Sequence, residues 1–215
     1  TAKGGICRLT LTDLDRQVRD WFKARAEALG CRVTVDDMGA MFARRAGTAD
    51  VPPIAMGSHL DTQPTGGKFD GVLGVLSALE ALRTLVEAGY ETYAPIEVVN
   101  WTNEEGSRFA PAMVSSGVFA KVFSHDQVYA TPDRAGVTFG AALEAIGYRG
   151  KEHCGEHPLS TFFELHIEQG PILEAEEKDI GIVVGVQAMR WYEATLTGQD
   201  AHTGATPMHL RKNAL

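Results

Sequence analysis

The chain lacks any apolar run approaching the length of a membrane span, and no secretion-signal pattern opens it. Cysteine is scarce. Cys7, Cys31 and Cys154 form an odd set whose spacings match neither a zinc ribbon nor a redox pair. They read as reduced thiols of a cytoplasmic protein. Positive charge is also in short supply: 20 Lys and Arg against 28 Asp and Glu leave a net charge of −8. That balance argues against nucleic acid or an anionic membrane as partner. Internal repeats and low-complexity segments are missing too. What remains is 215 residues, 44% hydrophobic and 22% charged, enough for one soluble domain with a sizeable core. The chain begins at Thr1 rather than Met, so its true N-terminus is expected to be missing or processed.

Hydrophobic periodicity then orders the chain. Leu11, Leu14, Val18, Phe22, Ala26 and Leu29 recur at helical spacing and predict a helix over 10–30, capped by Thr12 with Asp15 and stopped by Gly30. Residues 31–35 and 38–46 alternate as strands, and 49–53 form a loop. A buried strand is expected at 54–59, an apolar helix at 72–88 ended by Gly89, and a strand at 95–101. Short helices are expected at 113–122 and 139–146, a strand at 161–167, a Pro-started helix at 171–177, and strands at 180–186 and 191–197. The alternation argues for an α/β sheet with helices on both faces. The last residues read as the start of a helix with no stop signal.

Three strand ends carry ligand-type residues. His59 and Asp61 close the first, and Asp70 follows in a Gly-rich loop just before the 72–88 helix, whose positive dipole end faces that loop. A histidine there ligates a metal, Asp61 holds its other ring N–H, and a second carboxylate reaches the same metal or bridges two. Glu104-Glu105 ends the second strand, although an acidic pair at a helix start fits these residues as well. His166, Glu168 and Gln169 end the third. Ligands of open α/β sheets bind outside the carboxyl ends of strands, so the three motifs are expected to converge. The cluster His153-Cys154-Gly155-Glu156-His157 also holds good ligands, but its polar flanks read as a surface loop.

GSHLDTQPTGGKFDG (57–71), NWTNEEGSRFAP (100–111), ELHIEQGP (164–171) and GQDAHTGATPM (198–208) resemble, in this order, the motifs of the hydantoinase/carbamoylase amidases, part of the di-zinc M20 group. The resemblance runs from about residue 5 to the end, and the wording is nearest to β-ureidopropionases and N-carbamoyl-L-amino acid hydrolases. It implies a three-layer α/β/α zinc-hydrolase catalytic domain, incomplete here, over 1–187, and the start of a smaller α+β lid and dimerisation domain over 188–215. It implies two divalent metals, zinc first, with manganese, cobalt or nickel as alternatives. His59 and His166 correspond to ligands of one metal, Asp70 to the bridging carboxylate, Glu105 to a ligand of the second and Glu104 to the general base. A further histidine ligand of the family has no counterpart in this chain. His202 corresponds to the lid histidine that enters the partner subunit's site and steadies an oxyanion, and Gln169 to an amide reader; a plain turn residue fits His202 by itself. Related enzymes often carry Arg-x-Asp where this chain has Arg211-Lys212-Asn213. The implied reaction is hydrolysis of an N-carbamoyl amino acid in a cytoplasmic homodimer, with N-carbamoyl-β-alanine first, N-carbamoyl-L-α-amino acids second, and allantoate or a dipeptide after them. A catalytically dead relative is the rival from another class.

Overall fold

A computed structural model describes residues 1–2, 4–190 and 192–214, in two compact units, Thr1–Gln169 and Gly170–Leu215. The first unit holds α1 (Asp13–Ala28), β1 (Arg32–Val35), β2 (Met41–Arg45), β3 (Ile54–His59), α2 (Val72–Glu87), β4 (Ile96–Trp101), α3 (Val114–Phe119), α4 (His125–Ala130), α5 (Phe139–Ala145) and β5 (Thr161–Phe163). No described helix is long and apolar enough to cross a membrane.

The five strands form one mixed sheet in the order β1-β2-β4-β3-β5. β1 and β2 pair antiparallel, as do β2 and β4, while β3 runs parallel to both β4 and β5. β3, α2 and β4 therefore make one βαβ unit, the arrangement that brings two carboxyl ends side by side. One sheet face buries Met41, Ala43, Ile96 and Val98 under Phe22 and Ala26 of α1 and Val75, Leu79 and Leu82 of α2. The other buries Ala40, Phe42, Ala55, Val99 and Trp101 against Phe119, Leu159 and Phe162.

The α1 cap forms as expected: Thr12 accepts the Asp15 N–H, and Gly30 follows in the left-handed region. The buried stripe differs from the expected one. Leu14 is 55% exposed, whereas Asp15 and Arg19 are buried beside Phe22 and Ala26. The two pair with each other at 2.9 Å, so a charged pair takes the place of an apolar one on the inward face.

Two strand expectations fail for one physical reason. β5 stops at Phe163 rather than 167, because it pairs with β3 alone and only as far as Met56. In the second unit, 180–186 and 192–197 are not strands, since no described strand pairs with them; Trp191 lies outside the described residues. That unit carries a short helix α6 (Ile172–Ala175) and a 3-10 turn at Met208–Leu210. Leu215, where the chain was expected to be entering a helix, is likewise outside the described residues. Periodicity gives no sign of α4, which is only six residues long.

The loop after α5 is not a plain surface loop. Cys154 is buried, and His157 stacks on Phe42 with Nε2 2.8 Å from the buried Glu97 carboxylate.

Candidate metal centre

The ladder register builds the centre. His59 sits opposite Trp101, so the residues after β3 and β4 leave the sheet together. β5 is in step as well: Met56 faces Phe163, and three residues on from each lie His59 and His166. The imidazole of His59 is 1% exposed. Its Nδ1 lies 2.9 Å from the Asp61 main-chain carbonyl, and that of His166 lies 2.9 Å from the Ile167 carbonyl. A carbonyl can only accept, so each Nδ1 carries a hydrogen and Nε2 is the ring nitrogen left to meet a metal. Those nitrogens face carboxylates: His59 Nε2 is 3.3 Å from Glu104 Oε2, and His166 Nε2 is 3.3 Å from Asp70 Oδ1. Ligand atoms of His59, Asp70 and His166 all fall within 4.8 Å of one another, the one such group among the described residues.

Asp61 does not do what its spacing suggests. Its carboxylate is 3.8 Å from His59 Nδ1, too far for a hydrogen bond. It accepts instead the backbone N–H groups of Glu104 and Glu105, each at 3.2 Å. A single buried carboxylate thus anchors both members of the acidic pair, while the carbonyl of the same residue sets the imidazole tautomer. The burial that makes this possible pushes the Asp61 carboxyl above its ordinary range.

Glu104 is half-buried beside His59. Burial lifts its carboxyl above the ordinary value against the pull of His59, and Glu105 and Glu164 add to the lift. Burial alone would lower the His59 imidazole, but Asp61, Glu104 and Glu105 outweigh it and hold the ring above its ordinary value. Glu105 Oε2 accepts from the Gln63 amide at 3.0 Å, while its Oε1 is buried with no hydrogen-bond partner. An orphaned carboxylate oxygen, and two imidazole Nε2 atoms each 3.3 Å from a carboxylate, are a donor set that a divalent cation would satisfy. Nitrogen and oxygen donors of this kind suit zinc and its neighbours. The residues present therefore fit a metal.

Gly71 is required by the packing of the ring. It lies at the start of α2 with φ +65°, and a Cβ there would meet the His59 ring at 2.4 Å. Gln169, expected to read the substrate amide, donates to Asp70 Oδ2 at 2.8 Å. In the second unit, His202 Nδ1 accepts the N–H groups of Gly204 and Ala205 at 3.1 and 3.0 Å, closing a tight turn. The sequence carried no signal for Gln63 as a partner of Glu105, or for Ser58 as a donor to Glu164.

Residues 55–213 match Peptidase family M20/M25/M40. The N-carbamoyl-L-amino-acid amidohydrolase of Rhizobium meliloti is 56% identical over 212 residues, covering 98% of this chain and 51% of that protein. The allantoate amidohydrolase of Bacillus subtilis is 37% identical over 221 residues, covering 100% of this chain and 53% of that one. Among solved structures, a hydantoinase/carbamoylase family amidase from Burkholderia vietnamiensis superposes with a TM-score of 0.94 at 59% identity, covering 100% of this chain and 52% of that one. The chain thus spans about half the length of the relatives it matches. With a mixed sheet whose carboxyl ends gather His59, Asp70 and His166, and with a family match across most of its length, the chain belongs to Peptidase family M20/M25/M40.

Proposed function

We propose that this chain is the metal-binding part of an amidohydrolase that cleaves the ureido group of N-carbamoyl-L-α-amino acids, releasing the amino acid, ammonia and carbon dioxide. The observation that carries the reading is a half-buried carboxylate, Glu104, set 3.3 Å from Nε2 of the buried His59, whose Nδ1 is taken up by a main-chain carbonyl. The motif resemblance alone placed N-carbamoyl-β-alanine first. The 56% identity to an N-carbamoyl-L-amino-acid amidohydrolase favours the α-amino acid instead.

His59, Asp70 and His166 would hold a metal, with Glu105 extending the set to a second one. When bound, such ions supply Lewis acidity and make water acidic near neutral pH. Glu104 takes the proton of the attacking water and returns it to the departing nitrogen, first as base and then as acid. Its raised affinity for a proton suits both halves of that task. Asp61 keeps Glu104 and Glu105 in place through their amides. Gln169 steadies Asp70 and borders the same space.

On motif resemblance we also assign 1–187 to the catalytic domain and 188–215 to the start of a lid that forms a homodimer, with His202 steadying the oxyanion across the interface. The same resemblance supports a cytoplasmic setting and zinc ahead of manganese, cobalt or nickel.

The test is ammonia release from N-carbamoyl-L-methionine, N-carbamoyl-β-alanine and allantoate by the complete, metal-loaded protein. The methionine derivative is expected to turn over fastest, and Glu104→Gln to lower kcat by about 10³-fold. Preference for allantoate would move the reading to the activity named for the Bacillus relative. Retained activity in the Gln variant would remove Glu104 from its role.

A further inference from the structure

We infer that Arg19 of α1 is a positioning residue for the Glu104–Glu105 pair, acting through Thr102. The inference rests on the amidohydrolase reading for what the pair does, but not for how it is held. Arg19 and Asp15 are 1% and 0% exposed, a fully buried ion pair on the inward face of α1. Apolar residues would fill such a site at least as well for stability. What the guanidinium adds is a fork of directed donors. Nε–H donates to Asp15 Oδ2, one terminal nitrogen donates to the Gly39 carbonyl at 2.7 Å, and the other donates to Thr102 Oγ1 at 3.1 Å.

Thr102 is the first residue beyond β4, and it is buried. Its N–H donates to Ser115 Oγ at 2.8 Å, so its backbone and its side chain are each tied. Asn103 follows in the left-handed region, φ 55°, which asparagine adopts more readily than other side-chain-bearing residues. The Asn103 amide is in turn tied to the Phe109 carbonyl at 2.8 Å. Immediately after come Glu104 and Glu105, whose N–H groups rest on Asp61. Asp61 fixes the pair from β3, and Arg19 fixes the approach to it from α1. The direction in which the chain enters the pair is thereby set from β3, α1 and α3 together, with the Met113 N–H also holding the Glu104 carbonyl at 2.7 Å.

The test uses Thr102→Val, which keeps the shape and removes the acceptor, with Thr102→Ser as the conservative variant. Arg19→Lys is a third, since it keeps the charge beside Asp15 and loses the fork. In the complete, metal-loaded protein, Thr102→Val is expected to lower kcat about 10- to 100-fold, with KM within about twofold. Bound metal should stay near that of the parent, Tm should fall by a few degrees because an Arg19 donor is left buried and unpaired, and Thr102→Ser should recover most of both losses. Amide hydrogen exchange over 103–106 should speed up by about tenfold in Thr102→Val and return in Thr102→Ser. Unchanged exchange over 103–106 overturns the inference, as does a kcat loss that merely follows loss of metal. Should the parent hydrolyse no carbamoyl substrate, the reaction assignment falls, and the exchange measurement still decides whether Arg19 holds the pair.

Discussion

A methyl group on Gly71 would lie 2.4 Å from the His59 ring, and the φ of +65° already disfavours any other residue there. Gly71→Ala is therefore expected to displace the imidazole and weaken metal binding about 10- to 100-fold, measured by competition with a chelator. Gly89 supplies the control. Its φ of +63° carries the same conformational penalty, about 1 kcal/mol, but a Cβ there meets nothing within 4 Å. Gly89→Ala should cost stability and leave metal affinity intact; equal losses in both variants would mean that backbone strain, not the ring, is responsible. At this scale the grouping was legible because His59 ends a strand, His166 lies three residues past one, and Asp70 sits in a Gly-rich loop just before α2. Their partners were not. Asp61 reads as a histidine partner by spacing, and only the fold shows its carboxylate on the amides of Glu104 and Glu105.

The turn joining β1 to β2 holds a titratable group that opposes folding at neutral pH. Asp36 Oδ1 accepts the N–H groups of Met38 and Ala40, and the buried Cys154 thiol lies against the same carboxyl. Burial pushes the carboxyl up to about 6. The folded state therefore binds this proton more tightly than the unfolded chain, and stability from this group is lost as pH rises from about 4 to about 6. Asp36→Asn keeps the turn acceptor and removes the charge. It is expected to stabilise the protein at pH 7 by on the order of 2 kcal/mol, with the gain vanishing below about pH 4. Urea unfolding at both pH values checks this; a pH-independent difference would contradict it. Among the elements, α2 and strands β2 to β4 were readable because each buries an apolar run or stripe, and β1 from the alternation of Arg32-Val33-Thr34-Val35. α1 was readable in extent but not in its inward face, because Asp15 and Arg19 carry no apolar signal. Strands expected at 180–186 and 192–197 fail because an apolar run makes a strand only where another strand pairs with it.

The whole chain is two units with unequal internal support. Thr1–Gln169 contains the sheet and both buried clusters. In Gly170–Leu215, Ile182, Val183, Val184 and Val186 are at least 82% exposed, and the described residues among 177–207 hold no helix or strand. Trypsin acting on residues 1–215 is expected to cut after Lys178 and Arg190 before it cuts between Asp13 and Phe163. Early cleavage inside α2 or the sheet would show the first unit to be the weaker. The centre within that unit has a further property. Both imidazoles of the candidate metal group give a ring hydrogen to a main-chain carbonyl, Asp61 O and Ile167 O, and every amino acid supplies one. Mutational drift at positions 61 and 167 can change the side chains around the site without taking away either acceptor. The tautomer that points Nε2 inward is thus inherited with the path of the chain, and an engineer who wants the other tautomer must bend the backbone rather than replace a neighbour.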